Sequence, residues 1–325
     1  MKIQKTDDYH KELFTHFGFN FGFVADLLDK YLEDRNSVTD YWRNYFDGLT
    51  SRNKSETNNL NTGQRQDFNR TISISDSFDI SPSDELQLIT GVGAKIIQNM
   101  NESLAIPTAT SLRTISVKLL EENRIIINQF FKKIGLPKIS FTHLVAYAVV
   151  QGAKKFKGMN NSFAFVDGKP NLVKKPYVNI GLAVDIVRKD GTRSLIVPNI
   201  KNSEKMNFKE FINAYNIIIE KSRTGKLEPI DFQGSTITLT NPGGIGTVSS
   251  TPRLMSGQGC IIAIGAIDYP SEFKALHTTA LASLGIGKIM SITSTYDHRI
   301  IQGAESGEFL SYIDKLLLGD EKFYE

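Results

Sequence analysis

The chain has 325 residues, 40% of them apolar and 22% charged, with a formal net charge of +3. That length and apolar content suit one large globular domain with an appendage, or two modest domains. The mixed charge argues against a nucleic-acid surface, because the lysine pairs Lys154-Lys155 and Lys174-Lys175 carry no interleaved aromatic platform and read as solvated faces.

A single cysteine, Cys260, excludes an intrachain disulfide, and the N-terminus MKIQKTDDYH has neither an apolar signal core nor an Arg-rich amphipathic pattern. The expectation is a reducing, cytoplasmic setting. The longest apolar stretches, such as Cys260-Ile261-Ile262-Ala263-Ile264, fall far short of the roughly 20 residues that cross a bilayer, so no membrane span is expected.

Residues 20–48 read as a small, acidic helical unit: Phe23, Val24, Leu27, Leu28, Tyr31 and Leu32 repeat at helical spacing. A second helix is expected to open at Ser37, with Asp40 as a capping-box-like partner, and to carry Tyr41, Trp42, Tyr45 and Phe46. Two short helices cannot bury so much aromatic surface alone, so the unit should dock on something. From about 51 to 82 the chain turns polar and aperiodic and reads as a linker.

Beyond it, a helix through Ile96, Ile97, Met100 and Leu104 should stop before Pro107, and a β-prone run at Thr114–Val117 leads into a helix ending near Gly135. Ser140 reads as the cap of a helix bearing Phe141, Leu144, Val145, Ala148 and Val149. Asp167-Gly168 and Asp190-Gly191 are turn dipeptides beside β-prone runs, notably Val178–Val187 and Ser194–Ile200, and predict two hairpin-like connections. A helix should start at Asn207 with Glu210 at its third position. Strands follow at Ser235–Thr240, Cys260–Ile267 and Ile289–Thr295, then a helix through Phe309, Ile313 and Leu317. The pattern is α+β with a mostly antiparallel or mixed sheet.

The histidines, His10, His16, His143, His277 and His298, lack ligand-type spacing, so no metal site is expected. His143 lies inside an apolar helix and reads as a satisfied buried residue, and His10 and His16 as part of a frayed terminus. Gly243-Gly244-Ile245-Gly246 is followed by Thr247 through Pro252 rather than by a helix. It therefore reads as a loop letting backbone pass close to a substrate, beside Thr240 and Asn241. Cys260, between Gly259 and Ile261, reads as a small buried hydrophobe. His298 alone stands where an apolar strand runs into a Gly-bounded turn and a helix, held by the sheet yet open to a ligand, as a general base must be.

Asp297-His298-Arg299 through Gly303, with Thr238-Leu239-Thr240-Asn241-Pro242-Gly243 upstream, resembles the acyltransferase component of 2-oxo acid dehydrogenase complexes, a family itself similar to chloramphenicol acetyltransferase. The family pattern runs His-Arg, two residues, Asp or Asn, then Gly; Gln302 stands at the Asp/Asn position here. Pro107-Thr108-Ala109-Thr110-Ser111 and YDHRIIQGAESG from Tyr296 to Gly307 resemble one branch, the actinobacterial-type 2-oxoglutarate dehydrogenase/decarboxylase. There an acyltransferase is fused ahead of the thiamine-dependent component, and the same Gln occurs. Residues 20–48 are similar to that branch's N-terminal partner-docking segment.

The resemblance implies a helical partner-docking segment at 1–50, a flexible polar linker at 51–82 and an acyltransferase domain at 83–325. The fold it implies is a chloramphenicol-acetyltransferase-like mixed β-sheet with flanking helices. It also implies a homotrimer that transfers succinyl groups between dihydrolipoamide and coenzyme A in a tricarboxylic acid cycle complex. His298 would be the base and Thr240 the oxyanion donor, on different subunits; Asn241 and Gly243 would shape the loop beside Thr240, and Gln302 would hold Arg299 or its neighbours, all four toward the substrate. Glu325 falls where that family continues into its decarboxylase, and neither a GDG…N thiamine-diphosphate signature nor a lipoyl Asp-Lys-Ala hairpin occurs. The expectation is a fragment, split product or standalone homologue that binds neither thiamine diphosphate nor metal. Its lipoyl group would come in trans from the lipoyl-bearing component, and its other partner would be the thiamine-dependent component. Two other readings are a catalytically weak trimeric scaffold and a small-molecule acetyltransferase acting on a free hydroxyl.

Overall fold

A computed structural model of the chain describes residues 20–55, 92–187 and 193–324, with residues 9, 12, 13, 16, 17, 81, 83–86, 88 and 89. In chain order the helices are α1 (Phe21–Glu33), α2 (Asp40–Ser55), α3 (Val92–Leu104), α4 (Lys118–Lys133), α5 (Phe141–Lys155), α6 (Phe208–Thr224), α7 (Pro229–Phe232), α8 (Thr278–Ser283) and α9 (Gly303–Leu317). The strands are β1 (Thr108–Ser116), β2 (Ser162–Val166), β3 (Lys169–Val173), β4 (Ile180–Leu182), β5 (Val184–Val187), β6 (Arg193–Ile196), β7 (Asn199–Ile200), β8 (Ile237–Thr240), β9 (Cys260–Ile264) and β10 (Ile289–Asp297).

Six strands form one mixed sheet in the order β1-β10-β9-β8-β4-β7. β8 runs parallel to β4 and β9, while β1, β10 and β7 join antiparallel to their neighbours. The central β9 is buried along its whole length, as its unbroken run Cys260-Ile261-Ile262-Ala263-Ile264 requires of a strand covered on both faces. Ile115, Leu144, Val149, Phe211, Ile237, Ile262, Ile292 and Phe309 belong to the main core. α9 packs against α5, β1 and β10.

The local signals act much as their chemistry requires. Ser140 and His143 close a capping box at α5, and Asn207 and Glu210 close one at α6. Asp167 and Gly168 both take positive φ, 50° and 72°, as the two-residue turn joining β2 to β3 demands. Asp190-Gly191 lies outside the described residues, but the strands flanking it, β5 and β6, pair antiparallel. The run Val178–Val187 divides at Ala183 between two sheets: β4 lies in the main sheet and β5 in the separate β5-β6 hairpin.

β1 begins six residues before the run at Thr114, because its polar first half pairs with β10 at the sheet edge, where alternate residues face solvent. α2 begins at Asp40 rather than at Ser37. Asp34 accepts a hydrogen bond from Asn36 N at 2.9 Å and draws Arg35–Ser37 into a separate 3-10 turn. α2 also runs on through Ser55, into the stretch expected to be linker; residues 56–80 lie outside the described residues.

The aromatic helical unit docks on its own chain. Phe17, Phe21, Val24, Leu28, Trp42 and Phe46 share a second core cluster with Ile196, Leu227 and Phe232. Trp42 stacks on Phe46 at 5.4 Å and reaches Phe232 at 6.3 Å, and its Nε1 donates to Leu227 O at 2.9 Å. Asn20 completes the seam by bonding both backbone groups of Val197. His16 meets the Tyr45 hydroxyl at 3.3 Å, while His10 lies outside the described residues. Among the described residues no helix is long and apolar enough to cross a membrane.

Candidate active site

β10 carries His298 to the edge of the core. Sheet pairing continues on both sides to the strand end: Asp297 N donates to Gly259 O at 3.0 Å and His298 N to Pro107 O at 2.9 Å. The chain then turns sharply, with Ile300 N and Ile301 N both bonded to Asp297 O, and buried Ile301 anchors the turn before α9 begins. Register also brings together the two stretches that carry the family resemblance, pairing Thr108 with Asp297 and Ser111 with Ser294.

The imidazole of His298 is exposed, and its Nδ1 lies 3.0 Å from Ile301 O. A carbonyl oxygen only accepts, so Nδ1 carries the proton and Nε2 is left with a lone pair. Tyr296 braces the ring edge-on at 5.6 Å. The contact with Ile301 O and the brace of Tyr296 hold the exposed ring in one orientation.

Arg299 is held by Asp297, not by Gln302. The buried Asp297 carboxylate takes Arg299 Nε at 2.8 Å, Nη2 at 2.6 Å and the backbone N at 3.1 Å. These bonds raise the guanidinium pKa above its ordinary value. Its face lies 3.9 Å from the Phe163 ring centroid. Gln302 is exposed at the N-cap of α9, and among the described residues its side chain makes no hydrogen bond. An Asp two residues before the Arg satisfies the fork at shorter reach. Neither Asp297 as the anchor nor Phe163 as the stacking partner is marked in the sequence by more than the Asp-X-Arg spacing.

Thr240 ends β8 half-buried, and among the described residues its hydroxyl has no hydrogen-bond partner. Asn241 Nδ2 donates to Thr142 Oγ1 at 2.8 Å, which ties the loop to the start of α5. Gly243 does allow a close approach, but to the chain itself: a Cβ there would lie 2.3 Å from the carbonyl carbon and oxygen of Gly265. The glycine loop is zipped to the strand beside it, with Ala266 N bonded to Thr247 O at 2.8 Å.

The two candidate catalytic groups do not meet within one chain. Thr240 opposes Ala263, which opposes Thr293, so Thr240 lies level with Thr293 two strands away. His298 is five residues beyond Thr293, toward the opposite end of β8. At about 3.3 Å per residue and about 4.8 Å per strand spacing, the two are roughly 20 Å apart.

His143 and Cys260 are structural. Ser140 N bonds His143 Nδ1 at 3.1 Å and Nε2 reaches Asn216 Oδ1 at 3.0 Å, while burial lowers its pKa. Burial pushes the Cys260 thiol well up, and its Sγ–H faces Met159 O. Among the described residues no group of three or more His, Cys, Asp or Glu could hold a metal ion.

The family described as 2-oxoacid dehydrogenases acyltransferase (catalytic domain) matches residues 81–323, and 2-oxoglutarate dehydrogenase N-terminus matches residues 16–53. The multifunctional 2-oxoglutarate metabolism enzyme of Mycolicibacterium vanbaalenii is 54% identical over 246 residues, 76% of this chain and 20% of that enzyme. This chain thus spans about a fifth of that relative's length. The fold matches a probable dihydrolipoamide acetyltransferase from Listeria monocytogenes (TM-score 0.61, 24% identity, 73% of this chain, 96% of that one). It also matches the cubic core of a pyruvate dehydrogenase multienzyme complex (TM-score 0.60, 25% identity, 79% and 97%). With its mixed sheet, flanking helices and strand-end histidine, the chain belongs to the 2-oxoacid dehydrogenase acyltransferase family.

Proposed function

We propose that the chain is the acyl-transfer unit of a 2-oxoglutarate dehydrogenase assembly, moving a succinyl group between dihydrolipoamide on another polypeptide and coenzyme A. The observation that carries this reading is His298: a solvent-facing imidazole whose Nδ1–H is fixed on Ile301 O, leaving Nε2 as the base. A thiol of pKa near 8.5 is only a few per cent ionised at pH 7, so its attack on a thioester needs such a base.

His298 Nε2 takes the proton from the attacking thiol and later returns it to the leaving thiolate, so the imidazole ends each cycle as it began. General-base help of this kind is worth about 10²–10⁴ in rate. The Thr240 hydroxyl of a neighbouring copy donates to the oxyanion formed between these steps, a contribution of about 10²–10³. The roughly 20 Å between the two groups in one chain supports a site shared between copies, as in a homotrimer. Asn241 and Gly243 hold the loop on which Thr240 ends. The charged Arg299, fixed beside the base, suits an anionic substrate group. Gln302 bonds neither His298 nor Arg299, so an amide in place of an acid leaves the base's orientation unaltered; that weighs for an enzyme and against a scaffold alone.

Residues 1–50 serve partner docking in this reading. With Phe17, Phe21, Trp42 and Phe46 covered by the core, the face available to the thiamine-dependent component is the outward one, which bears Leu32, Glu33, Asp40 and Tyr41. The test is coenzyme A-dependent consumption of succinyl-dihydrolipoamide against the acetyl analogue. The reading expects a preference for succinyl and loss of turnover in His298→Ala; equal rates for wild type and variant would refute it.

A further inference from the structure

Among the described residues Thr240 has a strand partner on one side only. It pairs with Ala263 of β9, whereas β4 ends at Leu182, opposite Leu239, and the chain there turns away after Ala183 N has bonded Leu239 O at 2.9 Å. Beyond Thr240 the loop is held on the β9 side, where Gly243 packs on Gly265. Nearer to Thr240 it is held by the side chain of the very next residue, since Asn241 Nδ2 donates to Thr142 Oγ1 at 2.8 Å. Thr142 stands on a fixed post. Asn128 bonds both backbone groups of Ile139, at 2.7 and 3.0 Å, just ahead of α5. Ser140 and His143 close the capping box, and His143 Nε2 reaches Asn216 of α6 at 3.0 Å. The helix start is therefore complete without Thr142, whose half-buried hydroxyl is spent on the β8 loop instead.

We infer that Thr142 is a positioning residue for acyl transfer: through Asn241 it fixes the end of β8, and with it the direction in which the Thr240 hydroxyl donates to the oxyanion. The inference rests on the reading of Thr240 as that donor. Such a donor helps only if it is already in place when charge develops, and a small misplacement of a positioned group lowers the rate steeply. A hydroxyl at a strand end with one flank open needs a second restraint, and the amide of Asn241, anchored on the rigid start of α5, supplies it. Thr142 lies 99 residues from Asn241 in the chain, so only the fold brings it to the site.

The test is kinetic and uses the full chain, with coenzyme A-dependent consumption of acyl-dihydrolipoamide as the assay. Thr142→Val keeps the branched shape and removes the acceptor, while Thr142→Ser keeps the acceptor. One ordinary hydrogen bond corresponds to about 2-fold to 10-fold in an equilibrium. Thr142→Val should therefore lower kcat by about 3-fold to 10-fold, with KM for coenzyme A and the melting temperature near wild type, and Thr142→Ser should keep kcat. In a Thr240→Ala background, where no hydroxyl is left to aim, Thr142→Val should cost nothing further. A wild-type kcat in Thr142→Val, or an equal loss in the Thr240→Ala background, would overturn the inference while leaving Thr240 as the donor. A Thr240→Ala chain turning over at the wild-type rate would instead overturn the reading beneath it, and the inference with it.

Discussion

Replacing Asn20 with Leu tests how the N-terminal helical unit is held. Asn20 occupies the N-cap of α1 but makes no side-chain cap bond there. Its carboxamide goes to Val197 instead: Oδ1 accepts from Val197 N at 2.5 Å and Nδ2 donates to Val197 O at 3.0 Å. Leucine keeps the branched shape and removes both hydrogen-bonding partners together. A buried backbone group left without a partner costs about 1–3 kcal/mol, so two cost about 2–6 kcal/mol, or roughly 30-fold to 10⁴-fold in the docking equilibrium. Trp42 is the only tryptophan and lies in the same seam, so its fluorescence follows this unit alone, while far-UV circular dichroism follows all the helices. In urea, Asn20→Leu should move the fluorescence midpoint down and separate it from the dichroism midpoint of the core. An unchanged fluorescence midpoint would refute the idea that this amide pins the unit to Val197.

Thr240→Ala should lower acyl transfer by about 10²–10³ while Thr240→Ser keeps most of it, since only the hydroxyl is needed; steady-state kcat decides. Gly243→Ala cannot fit without moving the backbone at Gly265; it should lower both the melting temperature and kcat, whereas Gly244→Ala, with open space around its Cβ, should leave both near wild type. His143 is held below the ordinary histidine value of 6.5 by burial, against an opposing hydrogen bond to Asn216. The unfolded chain therefore binds this proton more readily: stability is full above about pH 6.5 and falls as pH drops through the folded pKa. Urea midpoints from pH 8 to pH 5 should decline more steeply in wild type than in His143→Gln.

Much of this was legible in the residues. Capping boxes at Ser140 and Asn207 and the Asp167-Gly168 turn are local chemistry, and local chemistry survives folding. The strand-end setting of His298 was legible for a similar reason, since a strand, a turn and a helix start are contiguous in sequence. The first half of β1 was not, because Thr108–Leu112 is polar and becomes a strand only through its partner β10. The partner of the aromatic helices was equally hidden: their composition demands a cover, but only the tertiary fold brings Ile196, Leu227 and Phe232 to them. The distance from Thr240 to His298 depends on β8 running parallel to β9 and β10 antiparallel to it, and strand order is not written in any one segment. Arg299 was assigned to Gln302 because family spacing emphasises that position; the nearer acid, Asp297, takes the fork.

A catalytic site shared between copies is tested most directly by mixing two chains that are each disabled. His298→Ala and Thr240→Ala are purified separately, assayed for coenzyme A-dependent acyl transfer, then dissociated and reassociated in equimolar amounts. If each site takes His298 from one copy and Thr240 from the next, random mixing gives intact pairs at about a quarter of sites, so activity should recover to about a quarter of wild type. A mixture no more active than the mean of its two components would contradict the shared site.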